Sequence, residues 1–269
     1  MDVEPEDLLE ALDAGQAPAG SGPVAAVVPA RPTPAPRPPT GKEKAVLASI
    51  TSSYFRLRRG LALIALVFPV LLWLRAGPSQ LRTSISAYYH VPSDGIFPST
   101  RDLFVGVLCA VGAFLYFYRG YSKREMAALN VAGIGAIVIA LVPVDYPYNP
   151  DDWPSAFGLV HNFASLFFFA AIAYVCLCRS RDTLELIADP RRRARFNGVY
   201  RLLGALMILA PLTATILHLL IPKQADEAYW VLAIEVAGIW VFAAFWLVKS
   251  REIRAIERQR RHASAQVGA

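Results

Sequence analysis

Six side chains stand out as able to do chemistry: Ser86, His90, Asp102, His161, His218 and Glu235. Imidazoles ligate zinc, and a carboxylate can take the proton of a metal-bound water. A serine beside tyrosines, here Ser86 with Tyr88 and Tyr89, can hydrogen-bond a developing oxyanion. Ser86 and His90 are four positions apart, so a helix over 81–91 would turn both to one side. Zinc motifs of fixed spacing are missing, since the chain has neither HExxH nor CxxC. Zinc as a cofactor, held by His90, His161 and His218 with water at an open position, therefore depends on the fold bringing the three together. Asp102 and Glu235 are the candidate proton acceptors, and Ser86 is the third candidate catalytic residue.

The elements that must position these residues are apolar helices. Of the 269 residues 55% are apolar and 18% charged, against about 45–50% and about 25% in an average soluble domain. Six apolar stretches, 57–76, 103–118, 126–144, 153–178, 202–222 and 228–248, are each about long enough to cross a core of roughly 30 Å at about 1.5 Å per residue. The runs 131–144 and 163–178 carry no charge on any face, whereas a soluble bundle needs a polar stripe. The expected fold class is all-α: a polytopic membrane bundle of six transmembrane helices over residues 42–250. Before it, residues 1–41 read as a disordered, Pro/Ala-rich cytoplasmic tail with no apolar periodicity and no cleavable signal sequence. After it, residues 251–269 read as a basic cytoplasmic tail. Repeated small residues, Gly106 with Ala110 and Ala132 with Ala136 and Ala140, mark faces able to pack closely in lipid. Cys109, Cys176 and Cys178 read as small apolar residues in a reducing compartment.

Charge sets direction. Of the 27 Lys and Arg, all but Arg75, Arg82, Arg101 and Lys223 fall in the segments that alternate onto the side of the two termini. Lys and Arg collect on the cytoplasmic side, so both termini are expected in the cytoplasm and the protein in the cell membrane. The net charge of +6 then reports topology. Its basic loops would touch anionic inner-leaflet lipid, membrane lipid being the expected partner, and nucleic acid is not required. Under this topology Asp102, Asp145, His161, His218 and Glu235 share the outer half of the bilayer. Ionisable groups cost about 2.5 to 3.5 kcal/mol at a span centre and are normally buried in the bundle and paired. Glu235, about 10 Å into the last helix, is expected to face His161 or His218. Asp102 opens its helix and is suited to capping as well as to catalysis.

The run Ser84-Ile-Ser-Ala-Tyr-Tyr-His90, then Arg101-Asp-Leu-Phe-Val-Gly106, Asn130 to Gly133 with Pro143, His161, the 195–201 run and Glu235 to Lys249 together resemble a family of bacterial six-helix membrane proteins of unknown function. The resemblance covers residues 54–250 and implies a fold without an activity. More distantly, Ser86-x-x-x-His90 followed by Asp102 is similar to the opening motif of the CREST superfamily of membrane hydrolases. That resemblance implies a zinc site of histidines with a serine and an aspartate nearby. The closing histidine pair of that superfamily is missing here, and the last helix offers Glu235 instead.

Two functions follow. One is a multi-pass membrane protein with a buried outer-leaflet His/Asp/Glu cluster and a non-enzymatic role in transport or as an accessory subunit. The other is a zinc-dependent intramembrane hydrolase of a lipid amide or ester. The first is preferred, because no complete catalytic signature is present.

Overall fold

The computed structural model describes residues 40–146, 155–220 and 229–267. The expectation of a disordered tail falls almost wholly outside them. Contacts divide the chain into Met1–Lys44 and Ala45–Ala269, and the six spanning segments belong to the second unit. They lie in α1 (Gly41–Ala76), α2 (Thr100–Phe117), α3 (Lys123–Leu141), α4 (Ala156–Tyr174), α5 (Pro190–Leu220) and α6 (Tyr229–Val267). Each is long and apolar enough to cross a membrane, so the chain is an all-α, multi-pass membrane protein. The span of α4 runs on through a π turn at Val175–Arg179 and a short helix at Arg181–Leu184. α6 is helical to Val267, well past the end of the apolar run at Val248.

Successive helices are antiparallel neighbours, α2 on α3, α3 on α4, α4 on α5 and α5 on α6. α1 joins through side chains: Phe68 meets Phe104 of α2, and Trp240 Nε1 of α6 donates to Leu66 O at 3.1 Å. Helix starts are fixed locally by serines. Ser99, Ser122 and Ser155 each accept from a backbone N–H three residues on, satisfying donors that a helix N-terminus leaves free.

Glycines let α2 and α3 approach closely. A Cβ on Gly112 would lie 2.7 Å from Gly133 O, and one on Gly133 would lie 2.7 Å from Gly112 O, so α2 and α3 meet backbone to backbone. Ala132, Ala136 and Ala140 are fully buried on the same helix, as their spacing implies. Gly106 and Ala110 instead face outward. They belong to a different phase of α2 from the buried stripe of Phe104, Val111 and Leu115. Where the C-terminal end of α2 meets α6 the core is aromatic, with Trp246 packed edge-on by Phe114, Tyr118 and Phe245 at 5.0 to 5.5 Å.

Two ends of the bundle follow from this order. One carries the 77–99 segment between α1 and α2; the other carries the turn between α2 and α3 and the far end of α6.

Candidate functional site

Between α1 and α2, the 77–99 segment is helical only in short turns. It holds two 3₁₀ turns, Pro78–Gln80 and Ser86–His90, and its ring and backbone groups are fastened to the bundle from several sides. Ser86 Oγ lies 2.9 Å from His161 Nε2 of α4. The other nitrogen, His161 Nδ1, donates to Val142 O at 2.7 Å. A carbonyl can only accept, so the neutral ring carries its proton on Nδ1 and Nε2 takes the Ser86 hydroxyl proton. His161 is 3% exposed. It is thus a buried imidazole held between two loops.

His90 points to the same loop, one residue pair away. Its Nε2 donates to Val144 O at 2.8 Å while its ring stacks on Tyr146, whose hydroxyl accepts from Arg82 at 2.9 Å. Glu235, half-buried in α6, accepts the backbone N–H of Ile85 at 2.6 Å. An ordered N–H at the start of the 3₁₀ turn thus supplies what a buried carboxyl needs; His161, one of the two expected partners, is engaged elsewhere, and the other, His218, has its side chain outside the described residues. Asp102 closes a capping box, accepting from Ser99 N at 2.9 Å and Ser99 Oγ at 2.7 Å. Asp145 accepts from Ser155 N at 2.9 Å and Ser155 Oγ at 2.5 Å, tying the α3–α4 loop to the first turn of α4. Farther out, Arg75 grips Asp94 through two nitrogens at 2.6 and 3.0 Å and also donates to Pro98 O and Ile96 O. This guanidinium holds the Asp94 carboxyl at about 2, well below its ordinary 3.8.

The described residues assemble no zinc site. Both histidines use one nitrogen on a carbonyl, and the second nitrogen of His161 is engaged by Ser86. Among the described residues no three His, Cys, Asp or Glu side chains come together as metal ligands. The His218 side chain lies outside the described residues. The structure brings Ser86 to His161 and His90 to the neighbouring loop carbonyl, while Asp102 caps its own helix.

A second polar layer, at the opposite end, escaped the sequence. Glu252 and Lys249 of α6 form an ion pair at 3.2 Å with side chains 0% and 2% exposed. Glu252 also accepts from Tyr200 and from Thr183, each at 2.5 Å, and Lys249 donates to Thr183 Oγ1 at 2.6 Å. Close by, Arg58 of α1 donates to Tyr118 at 2.7 Å and to Tyr121 at 3.1 Å, and Glu125 accepts from Tyr121 N at 2.8 Å. Burial pushes the phenols of Tyr118 and Tyr121 up, so both stay protonated. A signal existed: Trp246, Lys249, Ile253 and Ile256 continue the buried stripe of α6 at helical spacing beyond the apolar run.

Residues 60–251 match a family described as "Protein of unknown function (DUF998)". The chain belongs to the DUF998 family. That match takes in both polar layers except Arg58 and Glu252, and it agrees with the resemblance to a membrane family without an assigned activity. No curated protein and no solved structure matches the chain. Nothing in these comparisons ties DUF998 to the CREST superfamily.

Proposed function

We propose that this DUF998 protein is a non-enzymatic membrane component, an accessory or transport-associated subunit, whose outer polar residues latch the 77–99 segment onto the bundle. One observation carries the proposal: each described candidate other than Ser86 bonds to main chain. His161 and His90 hold Val142 O and Val144 O, Glu235 holds Ile85 N–H, Asp102 holds Ser99 N–H, and Asp145 holds Ser155 N–H. Groups arranged this way order loops over a lipid-facing bundle, where unsatisfied backbone would be costly. A conducting role for the bundle by itself is disfavoured by the aromatic packing of Phe114, Phe242, Phe245 and Trp246 between the two polar layers. The loop end is assigned to the outside and both termini to the cytoplasm of the cell membrane, on the distribution of Lys and Arg.

The Ser86–His161 contact favours one other reading. A serine hydroxyl bonded to an imidazole whose far nitrogen is held by a carbonyl is the geometry of an activated nucleophile, and hydrolysis of a lipid ester or amide would use it without zinc. Treatment of the purified protein with a fluorophosphonate probe separates the two. The accessory role expects no adduct at Ser86 and faster proteolysis of the 77–99 segment in Glu235→Ala and His161→Ala. Adduct formation at Ser86 that His161→Ala abolishes would replace the accessory role by the hydrolase.

A further inference from the structure

At the end of the bundle opposite the latched segment, α5 and α6 part to leave a cavity of about 350 Å³ lined by Arg192, Arg195, Phe196, Val199, Val248 and Arg251. A second hollow of about 240 Å³ shares Arg192, Phe196 and Arg251 with it and adds Arg254, Ala255 and Arg258. The two form one groove with five guanidiniums at its rim and an apolar floor, and no carboxylate lines either part. The composition follows from helix geometry. Arg192, Arg195 and Val199 share one face of α5, and Val248, Arg251, Arg254 and Arg258 share one face of α6.

No ion pair links any of the five to a carboxylate among the described residues. Arg254 lies within electrostatic reach of Arg59, Arg251 and Arg258, all of its own sign. Its Nε has no hydrogen-bond partner, and its guanidinium lies over the Phe55 ring at 5.6 Å. The apolar floor meanwhile continues from Val199 and Val248 into the spanning parts of α5 and α6.

We propose that this groove binds an anionic phospholipid of the adjoining leaflet, its headgroup phosphate taken by Arg192, Arg251 and Arg254 and an acyl chain lying along Phe196, Val199 and Val248. Guanidinium matches phosphate by paired, charge-assisted hydrogen bonds, and a basic pocket between spanning helices is where a headgroup can be reached without leaving the bilayer. A phospholipid is preferred to a soluble phosphate because only it uses the apolar half of the groove. The inference does not depend on what the 77–99 segment does, since that segment lies at the other end.

The full chain, purified in a neutral detergent, tests this by native mass spectrometry and thermal unfolding with dimyristoyl phosphatidylglycerol, dimyristoyl phosphatidylcholine or inorganic phosphate added. Phosphatidylglycerol is expected to remain bound and raise the midpoint, and the other two are not. Arg192→Gln/Arg251→Gln/Arg254→Gln should weaken phosphatidylglycerol binding about 100-fold, from roughly tenfold or less per cation. The same variant without lipid should unfold no earlier than the wild type, because like charges have been separated; this also reports that it folds. Arg119→Gln/Arg124→Gln, basic positions outside the groove, should bind as the wild type does. Equal loss in both variants would reduce the effect to general surface charge and overturn the site. A shift reproduced by phosphate alone would overturn the lipid in favour of a soluble anion.

Discussion

Replacing Glu252 by alanine should be among the most damaging single changes outside the aromatic core. Its carboxylate sits 3.2 Å from Lys249 Nζ with both side chains removed from solvent. At that separation two unit charges attract by about 5 kcal/mol at an effective dielectric of about 20, an interaction offset by the cost of desolvating both ions. Truncation removes the attraction and leaves the cost on Lys249, while Tyr200 loses its acceptor and Thr183 keeps only the Ser180 carbonyl. Breaking a buried pair from one side costs about 3–5 kcal/mol. At about 2–4 °C per kcal/mol for a domain of this size, the midpoint should fall by roughly 6–20 °C. Lys249→Met/Glu252→Gln removes both charges, keeps an acceptor for Tyr200 and preserves volume, and should recover most of the loss. Thermal unfolding of the wild type, Lys249→Met, Glu252→Gln and the double variant in one detergent closes a double-mutant cycle, with Glu252→Ala measured beside it. If Glu252→Ala unfolds within about 1 °C of the wild type, or the double variant is worse than the sum of the singles, the ion pair is not the lock described above.

Gly133→Ala should destabilise by about 1–3 kcal/mol, because its Cβ would meet Gly112 O at 2.7 Å and Tyr116 N at 2.8 Å, backbone atoms that cannot swing aside. Gly106→Ala, with nothing within 4 Å of the new methyl group, should be neutral or stabilising by about 0.5–1 kcal/mol in the same assay. The Arg75 clamp on 94–98 should depend on pH with a definite sign. Asp94 has a folded pKa of about 2, below its ordinary 3.8, so its contribution is complete above about pH 4 and is lost as pH falls through about 2. Hydrogen exchange at Ile96, whose N–H donates to Asp94, should therefore be flat from pH 7 to about 4 once intrinsic rates are divided out, and Asp94→Asn should raise it at pH 7. Ser122→Ala removes the cap of α3 and should cost about 1 kcal/mol, read by chemical unfolding.

The sequence by itself determined that the chain is helical and that it has six apolar runs, one in each spanning helix, although α1, α5 and α6 extend well beyond theirs. Hydrophobic length is local and needs no knowledge of neighbours. It also determined Asp102 as a cap candidate, because a capping box is closed within four residues, here Ser99 to Asp102. The pairing of polar groups was beyond its reach. Ser86 and His161 are 75 residues apart, and Ile85 and Glu235 are 150 apart. Shared depth set them at one level, but helix rotation and the path of the 77–99 segment decided which faced which. For Glu235 the partner was a backbone N–H, a group every residue carries and no motif records. The ion pair of Lys249 with Glu252 was hidden for the opposite reason. A run rich in Arg reads as a solvated tail, and only the packing of Thr183 and Tyr200 against α6 turns Glu252 inward and leaves the arginines beside it facing out. Composition fixes which side chains can be charged; tertiary structure decides which of those charges must be answered inside the protein and which are left for the membrane.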